Sequence, residues 1–188
     1  MAFSIQANAQ NATTDTKAAD TKTPDQKIAE ATDVVVLSLK DGDVYIELYY
    51  EKAPAHVIRF LELTKKGFYN GAPFHRVIDG FMAQTGDPTG TGTGKSDLPD
   101  LNIEYNDIKH VRGVVSMARG AELNSANSQF FICFADAPHL DRQYTAFGRV
   151  IKGMEFVDKI KKGNPVSGKV DNPDKIIKMT VLKEMKRD

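Results

Sequence analysis

Three features of the 188-residue sequence predict an all-β barrel or sandwich. Short apolar runs alternate with polar residues at a period of two, glycine-bearing turns separate them, and only two helical patterns interrupt the domain. A parallel sheet would need a helix between most strand pairs, and those helices are missing.

The elements follow in order. Residues 10–32 hold almost no large apolar side chain, so 1–32 is expected to be a disordered N-terminal segment, although a short helix from Asp25 to Ala31 is admissible. Within it, Ala7-Asn8-Ala9 before Gln10 looks like the cleavage end of a secretory signal without its basic leader. The expected compartment is therefore the periplasm, with the cytoplasm as the alternative. The domain is expected over 33–188. It opens with VVVLSLK and DVYIELYY, a hairpin turning at Asp41-Gly42. Pro54 starts a helix whose Val57, Phe60, Leu61 and Thr64 share one face, and Gly67 closes it.

The stretch FHRVIDGFMAQTGD (74–87) reads as two strands joined by a two-residue Asp79-Gly80 turn. Alternation places Phe74, Arg76 and Ile78 on one face of the first strand. In the second it pairs Met82 with Gln84 and Phe81 with Ala83. A guanidinium beside Phe, Met and Gln makes a shallow apolar cleft with one fixed donor fork. Such a cleft suits a neutral, apolar ligand with a carbonyl rather than a phosphate or a metal. Further strands are expected at 111–118, 129–134, 146–151 and 176–183, with a second helix at 153–160. In QFFICF, Phe130 and Ile132 should face the core and Phe131 the cleft.

Composition narrows the function. Lysine plus arginine equals aspartate plus glutamate, at 25 each, so there is no electrostatic footprint for nucleic acid. The lysine-rich C-terminal end reads as solvated surface. No apolar run approaches a membrane span. The lone cysteine, Cys133, is expected to be a buried, inert thiol. No ligand spacing for a metal is visible, and no cofactor is expected. TGTGTGKS departs from the phosphate loop, because Thr89 replaces its first glycine and Pro99 breaks the helix that should follow. No G-x-S-x-G elbow is present, and Ser116, Ser125 and Ser128 show no base partner, which argues against a hydrolase. His56 and His110 are expected to face solvent, and His75 to be a hydrogen-bonded structural residue. Arg76 has a structural alternative, an ion pair with Asp79 or Glu104.

FHRVIDGFMAQTGDPTGTGTGKS, GVVSMA, NSQFFICF and LD…AFGRVIKGMEFVDKI together resemble the cyclophilin-type peptidyl-prolyl cis–trans isomerases, in order and over nearly the whole domain. The resemblance implies a closed eight-stranded antiparallel barrel capped by two helices. It implies Arg76 as the catalytic residue and a proline pocket of Phe81, Met82, Phe131 and Leu140. Gln84 and Gln129 would orient the arginine and substrate carbonyl, and Ala118 and Arg119 would pair with the peptide backbone. His75 matches the histidine before the arginine.

Four departures stand out. Arg119-Gly120 replace the usual Asn-Ala, which implies a bacterial subtype. His139 replaces a tryptophan that helps bind cyclosporin, so binding of that inhibitor should be weak. Tyr144 replaces a pocket histidine, and the Gly90–Lys95 loop is short. The partners implied are proline-containing peptides and unfolded or folding proteins; a monomer is expected because the sequence shows no heptad and no sustained exposed apolar stripe. The competing reading is a chaperone or scaffold that grips proline segments, with turnover incidental.

Overall fold

The computed structural model describes residues 22–187. The segment expected to be a signal remnant, and most of the stretch expected to be disordered, lie outside the described residues. Within 22–32 the short helix that the sequence admits is present as α1 (Pro24–Glu30). Its cause is local. Thr23 accepts from the Gln26 amide while the Gln26 side chain accepts from the Thr23 amide, a reciprocal cap that satisfies two free helix donors. Lys152 pairs with Asp25, and Lys183 reaches the carbonyl of Ala29, tying the helix to the domain.

Eight strands form one antiparallel sheet: β1 (Val34–Leu39), β2 (Gly42–Leu48), β3 (Arg76–Ile78), β4 (Met82–Thr85), β5 (Val114–Met117), β6 (Phe130–Cys133), β7 (Ala146–Lys152) and β8 (Lys178–Lys183). Their spatial order is β3-β4-β6-β5-β7-β2-β1-β8. The outer strands β3 and β8 do not pair with each other directly. The chain ahead of β8 closes the seam: Gly71 N–H donates to the Ile176 carbonyl, Phe74 N–H to Asp174, and Val77 N–H to Gly168. The predicted barrel is therefore closed by a strap rather than by a regular ladder.

Two turns differ in detail from the sequence reading. Leu39 pairs with Gly42, so the first hairpin turns at Lys40-Asp41. Ile78 pairs with Met82, so the second hairpin has three loop residues, Asp79 to Phe81, rather than two.

Helix α2 (Pro54–Lys65) ends in a Schellman turn, with Phe68 N–H bonded to the Leu63 carbonyl and Gly67 N–H to Thr64. Gly67 takes φ +68°, which a side chain would resist. Its other end lacks a local cap, since Ala53 has no side-chain acceptor. Glu104, 48 residues away from His56, supplies it by accepting from the amides of Ala55 and His56. Glu104 is thus spoken for at this helix and is not a partner of Arg76. The second predicted helix shortens to α3 (Met154–Val157), because the chain tightens into i→i+3 bonds from Lys159 to Phe156 and from Ile160 to Val157.

Phe60 of α2 packs inside the barrel against Tyr69, Phe130 and Phe147 at centroid distances of 5.3, 5.0 and 4.9 Å. Phe130 and Ile132 point into this core, whereas Phe131 joins a separate outer cluster with Met82, Cys133, Ala137 and Leu140. That is the split the alternation in QFFICF predicts.

Candidate active site

The cleft lies on the outer face of the sheet, and register builds it. Arg76 pairs with Gln84, Gln84 with Phe131, and Phe131 with Ser116, one row running across β3, β4, β6 and β5. Directly opposed residues share a face. The next outer row is Ile78, Met82 and Cys133, while the row between them, Val77, Ala83, Ile132 and Val115, points into the core. Arg76, Met82, Gln84 and Phe131 are therefore brought together by pairing alone. The 3₁₀ turn Pro138–Leu140 adds Leu140 and His139 as a wall.

These residues surround a cavity of about 470 Å³, together with Phe81, Ala118, Arg119 and Tyr144. Phe81 tilts against His139 at 5.4 Å, and Tyr144 stands edge-on to Phe131 at 5.9 Å. Gln143, which the sequence reading missed, also lines the cavity and holds Arg119 through its carbonyl. Gln129 lines a second, adjoining cavity of about 280 Å³ that shares Gln84, Ala118 and Arg119 with the first. His75 lines neither. It is buried, with the Pro73 backbone and the Gln129 side chain as its polar neighbours, although neither ring nitrogen reaches full hydrogen-bond geometry. Burial lowers its pKa, which suits a neutral ring.

Arg76 makes only neutral contacts. Its Nε donates to the Ser167 carbonyl at 3.2 Å, and Nη1 lies 3.3 Å from Gln84 Oε1 and 3.9 Å from Met82 Sδ. Nη2 has no partner among the described residues, and the ion pair with Asp79 or Glu104 does not form. A relay then fixes the amides: Gln84 Nε2 donates to Gln129 Oε1 at 2.9 Å, and Gln129 Nε2 donates to the carbonyls of Gly92 and Gly94.

The glycine-rich loop that carries those carbonyls is organised by Asp87. Its carboxylate accepts from the Thr89 amide and hydroxyl and from the amides of Gly92 and Gly94. A protein carboxylate sits where a phosphate loop would place its anion, which explains why a phosphate-loop-like sequence makes no phosphate site.

Behind Phe131 lies a buried chain that the sequence reading missed. His110 Nδ1 is 3.1 Å from Asp141 Oδ1, and Nε2 is 3.0 Å from Ser116 Oγ; the ring stacks on Phe131 at 6.2 Å. Ser116 does have a base partner after all. It is fully buried, however, so no substrate reaches it, and the arrangement supports the pocket floor rather than hydrolysis. His56 and His110 are buried at 0% and 2% exposure, which corrects the expectation that both face solvent. Polar neighbours in sequence concealed distant partners, Glu104 and Asp141.

A family model described as cyclophilin type peptidyl-prolyl cis-trans isomerase/CLD matches residues 34–181. The chain is 51% identical over 170 residues to a probable peptidyl-prolyl cis-trans isomerase of Brucella suis, covering 84% of this chain and 87% of that one. It is 42% identical to a peptidyl-prolyl cis-trans isomerase of Helicobacter pylori, covering 81% and 96%. Among solved structures, a cyclophilin-type isomerase of Cryptosporidium parvum, crystallised in the presence of the dipeptide Ala-Pro, superposes with a TM-score of 0.73 at 31% identity, covering 80% of this chain and 99% of that one. Sequence, fold and the four separated motifs agree: the chain belongs to the cyclophilin-type peptidyl-prolyl cis–trans isomerases and is an enzyme of that class.

Proposed function

We propose that the outer cleft catalyses rotation about X-Pro bonds by gripping the proline ring between Phe81, Met82, Phe131 and Leu140 while Arg76 favours the twisted amide. The observation that carries this reading is the state of Arg76: a guanidinium on the cleft face, positioned by neutral acceptors, with Nη2 unengaged. Buried Arg59, by contrast, spends its guanidinium on the backbone carbonyls of Pro99 and Asn127 and faces no cavity of this cleft.

The chemistry needs no nucleophile and no proton shuttle. An X-Pro bond turns over in tens to hundreds of seconds because amide resonance resists rotation, with a barrier of about 20 kcal/mol. Reaching on the order of a thousand events per second requires roughly 7 kcal/mol of relief, at about 1.36 kcal/mol per decade. In the planar amide the prolyl nitrogen lone pair is delocalised. At the half-turned geometry it is localised and accepts a hydrogen bond from a guanidinium. That contact is stronger in the transition state than in either ground state, which is the condition for catalysis. The apolar walls hold the ring still while the preceding carbonyl swings past Arg76 and Gln84.

The test is exchange-broadened NMR on an X-Pro peptide with wild type, Arg76→Ala and Arg76→Lys. Loss of kcat/KM by one or more orders of magnitude in Arg76→Ala, with an unchanged thermal midpoint, supports the assignment. Full retained turnover in Arg76→Ala refutes it and favours a proline-gripping chaperone or scaffold.

A further inference from the structure

We propose that Arg119 makes this enzyme selective for proline segments that carry an acidic side chain on the N-terminal side of the proline; this rests on the assignment of the main cleft to proline. Arg119 borders both cavities, the proline pocket and its smaller neighbour. Its guanidinium is held rigidly by backbone carbonyls: Nε and Nη2 donate to Gln143 at 3.3 and 3.2 Å, and Nη1 donates to Gly120 at 3.0 Å and Ala121 at 3.3 Å. The plane sits 4.8 Å from the centre of the Tyr144 ring. Carbonyls and an aromatic face orient a cation without neutralising it. Four of its five N–H groups are used, and one on Nη2 is left over.

The charge around it does not cancel. The other cation of the second cavity, Lys95, is neutralised by Asp100 at 2.8 Å. Neither Arg76 nor Arg119 forms an ion pair with any carboxylate among the described residues. A peptide crossing both cavities thus meets two uncompensated positive charges and one neutral pair.

Its direction follows from the polar row. Arg76, Gln84 and Gln129 lead from the proline pocket into the second cavity. The carbonyl that swings during isomerisation belongs to the residue before proline, and with the ring in the apolar pocket it faces this row. The chain preceding proline therefore runs over the second cavity and past Arg119.

The experiment measures kcat/KM on peptides with Glu or Gln at each of the three positions before the proline, and at one position after it, at 20 and 500 mM salt. The expected result is a preference for Glu of about two- to tenfold at low salt, confined to a position before the proline and reduced at high salt. Arg119→Gln should bring the Glu/Gln ratio to one. Asp100→Asn should raise it, because Lys95 is then unneutralised. A Glu/Gln ratio near one at every position in wild type overturns the proposal, as does a preference only after the proline or one that survives in Arg119→Gln. If Arg119→Gln fails to fold, Arg119→Lys and Arg119→Met are compared instead, and a Glu/Gln ratio that is unchanged in Arg119→Met overturns it independently. Failure of the proline assignment reads differently, as no turnover of any peptide, Gln series included.

Discussion

Arg76 Nε donates to the carbonyl of Ser167, a residue 91 positions further along the chain, at 3.2 Å. The same loop presses on the arginine's stem. Gly168 sits at φ +77°, and a Cβ placed there would lie 2.8 Å from Arg76 Cγ and 2.7 Å from Ile78 Cγ1. Its carbonyl accepts from Val77 N–H, and Arg76 bridges to Lys169. The strap that closes the barrel seam is thus also the clamp that aims the guanidinium, so fold closure and site geometry are one structural event.

Gly168→Ala should therefore damage catalysis from outside the cleft. The added methyl group meets a left-handed backbone and displaces the Arg76 stem, at a stability cost of about 1 kcal/mol or more. A shift of the guanidinium is expected to lower kcat/KM about tenfold, equivalent to about 1.4 kcal/mol, mainly through kcat. The Arg76 Nε–H resonance should move in the same variant. Normal turnover with an unmoved resonance would show that the loop does not set the arginine.

Asp87 should matter to substrate binding although it lines neither cavity itself. Burial would raise its pKa, but hydrogen bonds from the Thr89 hydroxyl and from the amides of Thr89, Gly94 and Gly92 outweigh burial and hold it down at about 2. A depressed carboxyl contributes stability that is present above its ordinary value of 3.8 and is lost as pH falls through about 2. Asp87→Asn removes the charged acceptor and should cost about 1–3 kcal/mol. It should also raise KM more than it lowers kcat, because Gln129 is anchored on the carbonyls of Gly92 and Gly94. The portion of the acid-unfolding profile between pH 3.8 and 2 should flatten in the variant; an identical profile would sink the assignment.

The histidines set a second acid limb at milder pH. Burial is the leading cause of the lowered pKa of His56, His75 and His110. For a histidine whose folded pKa is depressed, the unfolded chain binds protons first. Stability is then complete above the ordinary value of 6.5 and falls as pH drops below it. His56 shows why the ring resists protonation. Nδ1 is 2.6 Å from Glu104, whereas Nε2 is buried without a partner, and a proton there would have no acceptor. Thermal midpoints should decline from pH 7 to 5, less steeply in His56→Asn. Glu104→Ala should lower stability by about 1–3 kcal/mol by uncapping α2. A flat profile between pH 7 and 5 would contradict the neutral-ring account.

The barrel and much of the cleft were legible because both depend on local periodicity. Alternation in QFFICF separates Phe131 from Phe130 and Ile132, and the same rule groups Met82 with Gln84. Motif resemblance then brings Leu140, Ala118 and Tyr144 to the same cavity from other parts of the chain. What alternation cannot supply is the identity of the neighbouring strand, so the row joining Arg76, Gln84, Phe131 and Ser116 was hidden. Partners at long separation were hidden too: Ser167 for Arg76, Glu104 for His56, and Asp141 for His110. Each is a side chain or carbonyl on irregular backbone, where no period marks the contact. The glycine-rich loop had a signal that could have been read, because several free amides beside one aspartate imply a carboxylate nest.

Cys133 offers a direct probe of how rigid the cleft floor is. It pairs across the sheet with Met82, is fully buried, and belongs to the apolar cluster of Met82, Phe131, Ala137 and Leu140. Burial pushes its thiol up to about 12, with Asp136 and Asp141 adding to the effect. The thiolate is the reactive form, so at pH 8 only about one molecule in ten thousand carries it even before access is considered. Labelling by a disulfide reagent should therefore require opening of the β4–β6 pairing. Its rate should rise with denaturant in step with global unfolding. Fast labelling in native buffer, accompanied by loss of isomerase activity, would mean that the floor opens locally, and the rigid-wall account of catalysis would have to be abandoned.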